Sequence, residues 1–247
     1  MMFDIVINVG PNDVTIIEQQ IHYTLRNIVG YRNVYIITQS AHVAHLSTLM
    51  PSCIVHDEVI FPFRFKDMSI NAGVPESSRN GWYLQQLLKL YAGLVIPGIL
   101  ERWLVIDADT FFLRPTEFIQ DDKCIYANGT EYHRPYFAHI SKLLPEITRI
   151  RPISGICHHM MLEKQFIQDL FARVEALHQK PFWQAFLTCI DPREYRYSGA
   201  SEYELYFNYM LLYNSNAITL RQLSWANVKS LDLDLPHNYI SYHWYTR

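Results

Sequence analysis

Apolar positions in the front of the chain change period repeatedly. Phe3 to Val9 is a nearly unbroken apolar run that stops at Gly10-Pro11-Asn12-Asp13, the pattern of a buried strand entering a turn. Val14 to Leu25 then places Ile16, Ile17, Ile21 and Leu25 near a 3.6 period, so a helix follows. Val34 to Ile37 is a second strand, His42 to Leu49 a helix, and Cys53 to Val55 a third strand. This alternation predicts an α/β fold with a mixed, mostly parallel sheet flanked by helices.

From Phe61 to Ser78 the periodicity dissolves. It returns at Gly81 to Tyr91, a helix carrying Trp82, Leu84, Leu87, Leu88 and Tyr91 as apolar positions. Trp103 to Ile106 is a fully apolar strand that ends abruptly in Asp107-Ala108-Asp109. The back of the chain is less regular. Strand character is expected at Cys124 to Ala127, helices at Tyr136 to Leu144, Lys164 to His178 and Ser201 to Tyr213, and short strands with loops after Ile218. No repeat or linker interrupts it, so one domain is expected over 1–247, with a nucleotide-binding-like half at 1–115 and an irregular half at 116–247 that the resemblance described below makes the acceptor side.

Composition narrows the function. With 247 residues, 49% hydrophobic and 18% charged, the chain is expected to be globular, burying roughly 70 to 75% of its unfolded surface. The 21 basic and 24 acidic residues give a formal charge of -3 without a Lys/Arg run, which argues against nucleic acid as a partner. The start, MMFDIVINVG, has no basic region and carries Asp4 among its apolar residues. No run reaches the roughly 18 apolar residues of a membrane span, so a cytoplasmic protein is expected. Four scattered cysteines without a CxxC pair fit a reducing compartment. The 14% aromatic content suits either sugar stacking or core packing.

In open α/β sheets ligands bind outside the carboxyl ends of strands, which is where Asp107 and Asp109 fall. The two alternate with Ala108, and in extended geometry they face the same side. Such a pair is either a hard-oxygen half-site for Mn²⁺ or Mg²⁺ or two solvated turn aspartates; the apolar strand before it favours the first. Ser201 and Glu204 match a capping box, which leaves Glu202 free, either as a general base or as a complement to the helix dipole. Arg79 and Lys89 flank the preceding helix as cations that suit an anionic ligand, which the resemblance described next implies is a diphosphate or donor sugar, with surface solvation the alternative for Arg79. Trp82 and Trp225 are either sugar platforms or core residues.

The segment Trp103 to Pro115, WLVIDADTFFLRP, resembles the DxD segment of nucleotide-sugar-dependent glycosyltransferases of the GT-A fold. The stretch Ser78 to Leu90, SRNGWYLQQLLKL, is similar to the helix before that motif in several such families, and Ser198 to Tyr209, SGASEYELYFNY, resembles an acidic segment of a small group of them. The resemblance implies a nucleoside diphosphate sugar over the first strands, with Val9, Gly10 and Asp13 near base and ribose. It also implies Mn²⁺ or Mg²⁺ on the DxD, with Asp109 as direct ligand and Asp107 on the ribose or a metal-bound water. A third ligand near the C-terminus is expected, His243 first and His237 second. His158 and His159 are implied as acceptor-side residues.

The expected activity is a metal-dependent hexosyl or pentosyl transfer from a UDP- or GDP-linked donor to a glycan hydroxyl, with inversion preferred and Glu202 as base. The rivals are a sugar nucleotidyltransferase, whose Gly-rich first turn is missing, and a non-catalytic glycan-binding protein.

Overall fold

A computed structural model describes residues 2–247. Its strands are β1 (Phe3–Val9), β2 (Ile28–Val29), β3 (Tyr31–Thr38), β4 (Ile54–Asp57), β5 (Arg102–Asp107), β6 (Thr110–Phe112), β7 (Thr116–Glu117), β8 (Ile119–Gln120) and β9 (Lys123–Ala127). They continue with β10 (His159–Glu163), β11 (Ile218–Arg221), β12 (Trp225–Asn227) and β13 (Tyr239–Ser241). The helices are α1 (Ile17–Asn27), α2 (Ser40–Leu49), α3 (Phe65–Ala72), α4 (Asn80–Val95), α5 (Arg134–Leu143), α6 (Lys164–His178), α7 (Phe182–Thr188) and α8 (Glu202–Tyr213).

The fold is mixed α/β. A central sheet runs β10-β5-β1-β3-β4, with β5, β1, β3 and β4 parallel and β10 antiparallel at one edge. The chain lays down β1, β3 and β4 outward in one direction and then returns to place β5 on the other side of β1. The strand order therefore reverses between β1 and β5, where such sheets open a crevice at their carboxyl ends. The register sets Asn8 beside Asp107, so the Val9-Gly10 turn and the acidic tripeptide share that crevice.

One cluster of buried apolar side chains extends from Phe3 to Tyr239 and includes every residue of Trp103 to Ile106. Burial on both faces explains why β1 and β5 read as continuous apolar runs. Helix α4 locks onto this core by close approach. A Cβ on Gly93 would lie 2.1 Å from the Trp103 ring, and the Trp103 indole N–H donates to the Lys89 carbonyl at 3.2 Å. The same contact fixes where Lys89 leaves the helix.

A small sheet, β12-β13-β6, has a large consequence. β13 pairs antiparallel with β6, setting Ser241 against Thr110, and the Tyr242 N–H donates to the Asp109 carbonyl at 2.8 Å. Residues after Ser241 are thereby delivered beside the acidic turn. α3 and α7 fall in stretches without a predicted element: α3 sits inside the aperiodic Phe61 to Ser78, and α7 has only seven residues. Among the described residues no helix is long and apolar enough to cross a membrane.

Candidate active site

The crevice between β1 and β5 opens into a cavity of about 540 Å³. Its lining includes Val9, Gly10, Asp13, Arg79, Lys89, Asp107, Ala108 and Asp109 from the nucleotide-side expectations. His158, Glu202 and His243 join them from the back of the chain.

The carboxyl end of β5 is held by a buried cation. Lys89 Nζ donates to Asp107 Oδ1 at 2.5 Å, to Glu202 Oε1 at 2.7 Å and to the Tyr203 hydroxyl at 3.1 Å. Tyr203 in turn donates to Asp107 Oδ1 at 2.9 Å, and His158 Nδ1 lies 3.2 Å from Asp107 Oδ2. Burial works against charge on both partners. For Asp107 the Lys89 ammonium and His158 outweigh it and hold the carboxyl well below the usual carboxylate range. For Lys89 the two carboxylates outweigh it and raise the ammonium above its usual value.

These contacts define the surroundings of Asp107 and Glu202. Lys89 and Tyr203 meet one Asp107 oxygen and His158 the other, which fits the expected role of Asp107 beside Asp109 rather than that of the direct ligand. Glu202 Oε1 is a counter-ion of Lys89, buried with it, while the residue also lines the cavity. The capping box is half present. Ser201 Oγ accepts from the Glu204 N–H at 3.3 Å, but the fully buried Glu204 carboxylate turns inward to Ser154 Oγ at 2.5 Å and Asn208 Nδ2 at 3.0 Å.

The chain turns at Ala108-Asp109 instead of staying extended, and Asp109 meets a different partner. His243 Nδ1 is 2.9 Å from Asp109 Oδ2, and His243 Nε2 is 3.0 Å from Asn227 Oδ1. Burial opposes protonation of His243, but Asp109 outweighs it and raises the imidazole above its ordinary value. Asp13, across the crevice, is pushed up to about 6 by burial first and by the Asp109 charge second, against the pull of Arg247. The Asp109 and Asp13 carboxylates thus lie close enough across the crevice to raise the Asp13 carboxyl in spite of its Arg247 partner.

Asp109 and His243 are the two residues whose spacing could admit a divalent cation in place of their hydrogen bond. Two ligands each roughly 2.1 Å from an octahedral ion stand about 3 Å apart at right angles, and the Asp109 oxygen and His243 nitrogen are 2.9 Å apart. The donor set, a hard oxygen with an imidazole, suits Mn²⁺. Among the described residues no group of three His, Cys, Asp or Glu side chains could hold an ion, so substrate oxygens and water would complete the shell.

The adjacent histidines part company. His158 takes a left-handed backbone, φ 60°, which turns its ring toward Asp107, and it stands 5.1 Å from the His243 ring. His159 begins β10 and is buried among Phe112, Phe118 and Tyr239, with no part in the cavity wall. That corrects its acceptor-side assignment. Trp225 also misses the wall. It stacks on Tyr239 at 5.6 Å and meets His158 edge-on, so it packs the site from behind. His237 bonds Ser224 Oγ at 2.7 Å, outside the cavity lining.

Sequence reasoning missed Tyr203, Asn227, Gln85, Gln86, Ser198 and Tyr136, all of which line the cavity. Tyr203 had a signal, since it adjoins Glu202 in a segment already singled out. Asn227 had none.

A family model described as "Family of unknown function (DUF6492)" matches residues 18–246, and the chain belongs to that family. No curated protein matches it. Among solved structures, the apo form of mouse xyloside xylosyltransferase 1 is similar at 12% identity and a TM-score of 0.47, covering 92% of this chain and 88% of that one. A likeness of that degree is silent about chemistry.

Proposed function

We propose that this chain is a cation-assisted glycosyltransferase that takes a hexose or pentose from a UDP- or GDP-linked donor and transfers it to a hydroxyl of a glycan. The observation that carries the reading is the pairing of Asp109 with His243 at a strand switch point, beside Asp107 fixed by Lys89. The resemblance of WLVIDADTFFLRP to DxD segments supports it independently.

In this reading the turn from Val9 to Asp13 receives the base and ribose. Asp109 and His243 hold the cation, which when bound supplies charge compensation to the departing diphosphate. Lys89 holds Asp107 ionised and in place. Tyr203 and His158 complete the set of donors that keep Asp107 from rotating. Glu202 balances Lys89 so that the buried ammonium is not left alone.

The test is incubation with a panel of UDP- and GDP-sugars, with and without Mn²⁺, followed by measurement of free nucleoside diphosphate. The reading expects slow, Mn²⁺-dependent release from one donor class, abolished in Asp109→Ala. Turnover of a sugar phosphate with a nucleoside triphosphate would instead establish the nucleotidyltransferase, and inertness toward every donor would return the fold to glycan binding.

A further inference from the structure

The far end of the cavity holds a cation without a counter-ion. Arg79 precedes α4 and lines the cavity with its guanidinium 4.1 Å from the Trp82 ring centre. It donates from Nη2 to Ser198 Oγ, and its buried Nε has no partner. Among the described residues it forms no ion pair, in contrast to Lys89 with its two carboxylates. Glu131 lines the same cavity yet forms no ion pair with it. A half-buried charge in that state has lost hydration without recovering it from a carboxylate, and an anionic ligand would restore the balance.

Its surroundings define what kind of anion. Trp82 stacks on Tyr136 with ring centroids 6.4 Å apart and 21° between planes, so flat aromatic surface adjoins the guanidinium. Ser198, its hydroxyl partner, is held at φ 68° in the left-handed region, a strained backbone that the site maintains. Aromatic surface beside a forked donor suits a sugar ring bearing a carboxylate or a phosphate monoester.

Position separates this end from the diphosphate. Arg79, just before α4, and Lys89, within it, stand ten positions apart, a rise of roughly 15 Å along the helix axis, and Lys89 is the residue bonded to Asp107. An anion at Arg79 is therefore a different group from one at the Asp109 end. We infer that Arg79, Trp82, Tyr136 and Ser198 form a subsite for an anionic sugar, and that this sugar belongs to the acceptor. Naming it the acceptor rests on the transferase reading; the acidic-sugar subsite itself does not.

The test is an NMR titration of the wild-type protein with glucuronate, its methyl ester, glucose 6-phosphate and glucose, repeated on Arg79→Gln and Arg79→Lys. UDP and GDP with Mn²⁺ are titrated in parallel. One of the two charged probes should bind at least ~10-fold more tightly than its neutral counterpart, and which one does so separates carboxylate from phosphate. Arg79→Gln should remove the preference, and Arg79→Lys should keep part of it. Equal or absent binding of charged and neutral probes to the wild type overturns the inference, as does loss of nucleotide binding in Arg79→Gln with the preference intact. If no nucleotide binds the wild type while the Arg79-dependent preference stands, the subsite survives and the transferase reading falls.

Discussion

Lys89 and Asp107 sit on different elements, α4 and β5, yet their charged atoms are 2.5 Å apart, and Glu202 closes the group from α8 at 2.7 Å. One ammonium thus joins three segments that meet nowhere else in charge. Removing it leaves two carboxylates facing each other in a site that water reaches poorly. Lys89→Met should cost about 3 to 5 kcal/mol of stability in urea unfolding. Adding Glu202→Gln to that variant should return a measurable part of the loss, because one of the stranded charges is gone. A near-neutral Lys89→Met would show that the group is solvated and not structural.

The same geometry separates two roles for Glu202. A general base is worth about 10²- to 10⁴-fold in rate, whereas a counter-ion acts through Lys89. Glu202→Gln should lower the melting temperature while leaving Mn²⁺-dependent release of nucleoside diphosphate within about tenfold of wild type. A loss of several hundredfold with unchanged stability would restore Glu202 as the base.

How much of this was legible in the sequence depended on whether the signal was local. The apolar run Trp103 to Ile106 ending in Asp107 marks a buried strand and its carboxyl end, and β5 lies there. The Lys164 to His178 helix was equally plain, because its inward positions Ile167, Leu170 and Val174 keep the helical period. The partners of those aspartates were not local. His243 reaches Asp109 across 134 residues through the β13-β6 pairing, and a three-residue strand such as Tyr239–Ser241 leaves no period to read. Glu202 and Lys89 are 113 residues apart, so a carboxylate that looked free in the sequence is committed in the fold. His158 and His159 are adjacent, and only the left-handed turn at His158 decides which ring meets the site.

Close packing of α4 on β5 makes Gly93 irreplaceable. A methyl there would stand 2.1 Å from one Trp103 ring carbon and 2.2 Å from another, with the ring fully buried and unable to swing away. Gly93→Ala should cost about 1 to 3 kcal/mol or more, and because Trp103 also bonds the Lys89 carbonyl, the displacement should reach the site. Urea unfolding gives the cost, and a Gly93→Ala/Trp103→Leu double variant should recover part of it.

Two core histidines set the acid limit of the fold. Burial lowers His139 to about 4 and His159 to about 3, with Lys142 and Arg221 adding to the respective effects. Both are neutral when folded and take up protons when unfolded. Stability from them is therefore full above the ordinary histidine value near 6.5 and is lost as pH falls toward 4, at up to about 1.4 kcal/mol per pH unit for each. His159→Phe, in its cage of Phe112, Phe118 and Tyr239, should flatten the dependence between pH 6 and 4 by about one proton. An unchanged slope in that variant would mean that His159 is protonated in the folded state.

The central claim is that Asp109 and His243 hold a cation that in turn holds a nucleoside diphosphate. It is tested most directly by thermal unfolding with UDP, GDP, CMP and dTDP, each with and without Mn²⁺, since a ligand bound only by the native state raises its apparent stability. The account predicts a rise for UDP or GDP that requires Mn²⁺ and disappears in Asp109→Ala and in His243→Ala. A rise that is independent of Mn²⁺ or survives both substitutions, or no rise with any nucleotide, would contradict it.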